Sequence, residues 1–87
     1  MDLGAVLTAE PEEIQEWLNA RLAAAPPEVR AVILAVDYVE PGSLRRPDCD
    51  HYLMIGEYEG ERERIEIAFQ VKAGAPTEAL ALVLKLL

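Results

Sequence analysis

Eighty-seven residues, 52% of them apolar, describe one globular domain (1–87) at the small end of what a single core stabilises. Sixteen acids against eight bases leave a formal charge of −8. That charge repels phosphate backbones and argues against nucleic-acid binding, because Arg45 with Arg46 and Arg62 with Arg64 are the only basic clusters and acids surround both. One cysteine excludes an internal disulfide, and no apolar stretch approaches the roughly 20 residues of a membrane span.

The opening, MDLGAVLTAEPEE, lacks the basic region and apolar run of a signal peptide, so the cytoplasm is the expected compartment. Residues 10–24 then predict an amphipathic helix. Ile14, Trp17, Leu18 and Leu22 form one stripe, and Pro11 fits the first turn. Glu12 and Glu13 suit the positive end of the helix dipole, Arg21 suits the negative end, and APP at 25–27 stops the helix.

Residues 29–39, VRAVILAVDYV, read as a strand because five of them are β-branched and prolines bound the run. Val32, Leu34 and Val36 line one face; Ala31, Ile33 and Ala35 line the other. A strand apolar on both faces is expected at the centre of a sheet. A second strand covers 51–58 and a third 62–72, joined by a hairpin at Glu59 and Gly60. Alternation sets Ile65, Ile67, Phe69 and Val71 on one side of the third strand. A two-residue turn places Tyr58 opposite Glu61, Glu57 opposite Arg62, Met54 opposite Ile65 and Tyr52 opposite Ile67.

The tail APTEALALVLKLL carries Leu80, Val83, Leu84 and Leu87 at helical spacing, with Thr77 in the N-cap position. Leu82 and Leu86 fall on the opposite side, so this helix is apolar nearly all round and is expected to be buried, against a second chain. A buried strand is the alternative for the same run. The predicted architecture is α+β: an N-terminal helix, a three-stranded antiparallel meander and a C-terminal helix. The helices pack on the face made by Tyr52, Met54, Ile65, Ile67 and Phe69.

Only the 40–50 connection, EPGSLRRPDCD, is longer than two neighbouring strands need. It holds the sole cysteine and leads to the sole histidine. Cys49 and His51, with Asp48 for an oxygen ligand, are the candidate metal ligands, but a closed zinc site needs four and Cys and His are exhausted after two. As a nucleophile, Cys49 is opposed by Asp48 and Asp50 beside it. The glutamate pairs lack any sign of the burial that a general acid needs, and Gly56 and Gly60 do not form a phosphate loop. No catalytic residue, cofactor or metal is therefore expected. Arg45 and Arg46 are the candidate recognition residues of the loop.

Across residues 11–60, Pro11, Glu12, Ile14, Val29, Ile33 and Leu34, then Tyr52, Leu53 and Gly60, loosely match a helix start followed by two strands. In this the chain resembles the C-terminal domain of the enhanced-serine-sensitivity protein B (SseB) family. The resemblance implies a small cytoplasmic bacterial interaction or regulatory domain and brings no catalytic residues with it.

The expected function is a non-enzymatic protein-interaction or regulatory domain acting as a homodimer. Its apolar tail and the surplus of aliphatic residues in so short a chain motivate that expectation. A small-molecule- or metal-binding protein centred on the 40–51 loop is the alternative, and an acidic protein masking a basic partner a third. Six arginines against two lysines, with three Asn and Gln together, are compatible with a thermophilic source.

Overall fold

Residues 3–38, 43–57, 64–72 and 74–87 are described by a computed structural model. Along the chain run α1 (Leu3–Thr8), α2 (Pro11–Ala23), a single 3-10 turn (Pro27–Val29), β1 (Ala31–Asp37), β2 (His51–Glu57), β3 (Arg64–Val71) and α3 (Pro76–Leu86). The α+β class is as expected, and the tail is a helix and not a strand. The short α1 was not anticipated. Six residues are too few to display a period, yet Val6 is fully buried and its carbonyl accepts the Tyr38 hydroxyl at 3.2 Å.

Ile14, Leu18 and Leu22 are the buried stripe of α2, and Trp17 packs at its edge with Arg21 over its ring. Pro11 occupies the first turn, and the Ala24 N–H closes the last turn on Arg21. α3 begins two residues earlier than expected. Ala75 sits at its N-cap and Pro76 at the first helical position, so Thr77 lies exposed in the first turn and makes no capping bond. Gly74, with φ +94°, turns the chain out of β3 into this helix.

The sheet departs from a meander. Its order is β1-β3-β2, with both outer strands antiparallel to β3. β1 is thus an edge strand, and the strand covered on both faces is β3, where residues 65–69 are all buried. β1 instead leaves Val32 52% exposed on its second face. Because β1 and β2 each oppose β3, they run parallel to one another, and parallel strands cannot be joined by a tight turn. That requirement accounts for the length of the segment between them.

Both registers contain an irregularity. On β1, Ile33 stands opposite Phe69 and Ala35 opposite Ala68, which leaves Leu34 as the extra residue of a bulge. Ala31, Ile33 and Val36 consequently form the helix-facing side, not Ala31, Ile33 and Ala35. On β2, His51 pairs with Phe69, Tyr52 with Ala68, Leu53 with Ile67 and Met54 with Glu66. This corrects the expected register. Leu53 and His51 face the helices, while Tyr52 and Met54 face the other way. Glu57 stands opposite Arg64 and not Arg62, after a shift between Met54 and Gly56. The expected Glu59–Gly60 turn, Tyr58, Glu61 and Arg62 lie outside the described residues.

Helices cover one face of the sheet, α2 against β1 and α3 against β2. Between them lies a core of Val6, Ile14, Leu18, Leu22, Ile33, Ile65, Ile67, Phe69, Ala79 and Val83, among others. The open edge of β1 is closed at one point by α2. The Asn19 amide accepts the Ile33 N–H (2.8 Å) and donates to the Ile33 carbonyl (3.1 Å), where Gln15 donates a second bond (3.2 Å). A side-chain amide there replaces the missing neighbour strand.

Candidate functional site

The sheet face away from the helices carries Val32, Ala35 and Asp37 from β1, Glu66, Ala68 and Gln70 from β3, and Tyr52 and Met54 from β2. At its centre Glu66 is 1% exposed and Ala68 fully buried. Burying a carboxylate is costly unless cations and hydrogen bonds compensate. Here a cation comes from the segment that joins β1 to β2.

Residues 43–50 lie against this face, held by Tyr52. The Tyr52 hydroxyl accepts the Arg46 N–H at 2.6 Å and donates to the Arg46 carbonyl at 3.1 Å. A turn closes from the Cys49 N–H to the Arg46 carbonyl at 3.1 Å, with Pro47 at its second position, where its fixed φ suits a turn. The Arg45 guanidinium lies 3.6 Å above the Tyr52 ring, with an Nη 4.0 Å from Glu66 Oε1. Arg46 donates from Nη1 to the Leu34 carbonyl at 3.5 Å and pairs through Nε with Asp48 at 3.4 Å. Leu34, Glu66 and Tyr52 belong to β1, β3 and β2, so two adjacent arginines tie one segment to all three strands.

The two arginines expected to serve recognition are therefore also fasteners within the chain, though Arg45 keeps 54% of its side chain exposed. The three candidate metal ligands are not brought together. Asp48 pairs with Arg46, and the half-buried Cys49 thiol lies at the Tyr52 hydroxyl. The His51 ring stacks on Phe69, centroids 5.7 Å apart, on the helix side of the sheet. Among the described residues no group of three or more His, Cys, Asp or Glu is placed to hold a metal ion. The Cys49 thiol is pushed up from its ordinary pKa, first by burial and then by Asp48, against the opposing pull of Arg46 and Tyr52. Such a thiol stays protonated at neutral pH and makes a poor nucleophile.

In the tail, Val83 and Ala79 are fully buried inside the chain. Leu80, Leu82, Leu86 and Leu87 pack partly against the core, and only Leu84, at 56% exposure, points away. Sequence reasoning missed Glu66, whose place in a strict polar–apolar alternation reads as a solvated position. The available signal was Ala68 two residues on, a small apolar side chain on the same supposedly polar face. No helix among the described residues is long and apolar enough to cross a membrane. No family model, curated protein or solved structure matches the chain.

Proposed function

We propose that this chain is a small non-enzymatic protein-interaction or regulatory domain of the cytoplasm that works as a homodimer, joined through the sheet face that no helix covers. One observation carries the reading: Val32 at 52% and Met54 at 37% exposure flank the arginine-bearing segment on that face, on opposite edge strands. Neither side chain makes a patch alone; a second copy laid over the segment between them would cover both at once. Arg45 and Arg46 lie between them and give an otherwise acidic chain its local positive charge. Further support comes from the likeness of residues 11–60 to the C-terminal domain of the SseB family.

Sedimentation equilibrium of the full chain tests this reading. The expected result is a dimer at tens of micromolar, converted to monomer by Val32→Asp with Met54→Glu at unchanged far-UV circular dichroism. Salt should tighten the dimer, because two copies of charge −8 repel and the screening length shrinks from about 10 Å at 0.1 M to about 3 Å at 1 M. A strict monomer at all salt concentrations would overturn the homodimer.

A further inference from the structure

The sheet has two outer edges, on β1 and on β2. Asn19 and Gln15 occupy the first at Ile33. Among the described residues no hydrogen bond reaches the backbone of β2 from outside the sheet.

The direction of the β2 backbone follows from the two strands beside it. The Lys72 N–H donates to the Arg30 carbonyl at 2.9 Å, which turns Lys72 toward β1. Along an antiparallel strand the N–H and carbonyl of one residue point to the same side, and that side alternates at each residue. Gln70 and Ala68 therefore bond β1, whereas Phe69 and Ile67 bond β2. Ile33, opposite Phe69, turns its groups out to Asn19, as this alternation requires. On β2, His51 and Leu53 stand opposite Phe69 and Ile67 and exchange bonds with them. Tyr52 and Met54 are left with both backbone groups facing outward.

No sequence device blunts this edge. Open edges are commonly protected by charges or proline, and residues 51–54, HYLM, contain no Lys, Arg, Asp, Glu or Pro. Met54 is 37% exposed, and α3, the helix in contact with β2, carries Leu84 at 56%. Two of the three large apolar side chains exposed among the described residues thus belong to the edge strand and its covering helix.

We infer that β2 pairs antiparallel with β2 of a second copy, about a two-fold axis through Leu53. The Tyr52 N–H of each copy donates to the Met54 carbonyl of the other, and the Met54 N–H donates to the Tyr52 carbonyl. Tyr52 and Met54 are equidistant from Leu53, so one axis satisfies all of their outward groups reciprocally. That self-complementarity is the property of an isologous contact and favours a second copy over a foreign strand. Opposed side chains share a face: Leu53 meets its counterpart on the helix side, and Met54 meets Tyr52 on the other, sulfur against ring. The inference rests on the reading of the chain as self-associating and adds a contact distinct from the sheet face. Its ladder is only three residues long, so it forms at higher concentration than the face dimer.

Amide hydrogen exchange of the 15N-labelled Val32→Asp chain tests it. That substitution disables the sheet face from the opposite edge strand and leaves β2 intact. Between tens of micromolar and about 1 mM, exchange at Tyr52 and Met54 should slow at least about threefold, as two-thirds of the open edges become paired. The Leu53 amide, bonded to β3 throughout, should keep its rate, and sedimentation at the higher concentration should show a dimer. Adding Met54→Pro removes an outward N–H without breaking a bond to β3. It should restore a monomer with a fast Tyr52 amide at unchanged far-UV circular dichroism. Met54→Lys keeps the backbone, charges the edge and should do the same where proline disturbs the fold. Exchange at Tyr52 and Met54 that ignores concentration, slowing that extends equally to Leu53, or a Tyr52 amide still protected in Met54→Lys overturns the edge contact. The two readings fail separately. A wild-type dimer whose Tyr52 amide stays fast at every concentration defeats only the edge. Identical self-association of wild type and Val32→Asp, with Tyr52 protected in both, defeats only the face.

Discussion

Arg45 does three things at once: it stacks on Tyr52, approaches a buried carboxylate and remains half in water. Its removal leaves Glu66 without that cation in a site water scarcely reaches. We expect Arg45→Ala to cost about 1–3 kcal/mol of stability. In a Glu66→Gln background, where no charge awaits neutralisation, the same substitution should cost less than about 1 kcal/mol. A double-mutant cycle by urea unfolding measures the difference, and equal costs in both backgrounds would show that the ion pair contributes nothing. Cys49 offers a second test. A thiol raised by burial ionises in the unfolded chain first, so its contribution to stability is whole at low pH. That contribution falls as pH rises past about 8.5. Alkylation of Cys49 by iodoacetamide should accordingly have its midpoint at a higher pH than alkylation of the denatured chain. A midpoint below that of the denatured chain would contradict the burial.

Among the elements, α2 joins two roles that are usually separate: its apolar stripe fills the core, and its Gln15 and Asn19 close a strand edge. Asn19→Ala should cost about 1–2 kcal/mol, because the part-buried N–H of Ile33 loses its partner. A domain of this size then melts roughly 4–8 °C lower for each kcal/mol lost. An unchanged melting temperature would show that water replaces the amide without penalty. The stripe of α2 was legible in the sequence because a long helix repeats its period several times. The strands were legible as strands but not in their order or their facing. HYLMI is apolar at successive positions, so periodicity cannot choose between Tyr52 and Leu53 for the core. The Tyr52 hydroxyl decides it by meeting the Arg46 backbone on the opposite face. The bulge at Leu34 likewise changes which side chains of β1 face inward, and a local irregularity of one residue leaves no compositional trace. Of the candidate site, Arg45 and Arg46 were legible as exceptions in an acidic chain. Glu66, one glutamate among many, was not.

At the scale of the whole molecule, the length of the 40–50 connection had the right significance and the wrong explanation. It looked like surplus in a hairpin; it is the distance the chain needs to return alongside itself with a strand left out between. That omitted place is filled last. While the chain is being synthesised, the segments of β1 and β2 emerge before the one strand that pairs with either of them in the sheet. Neither can form its ladder until residues 64–71 have left the ribosome, whereupon a single strand completes both at once. A fragment ending at residue 57 should therefore give the circular dichroism of a largely unfolded chain with some α2 helix. Adding residues up to 72 should restore sheet signal in one step. Strand signal in the shorter fragment would show that β1 and β2 find partners without β3. Late insertion also means that a nascent chain paused before residue 64 presents two unpaired apolar strands to chaperones.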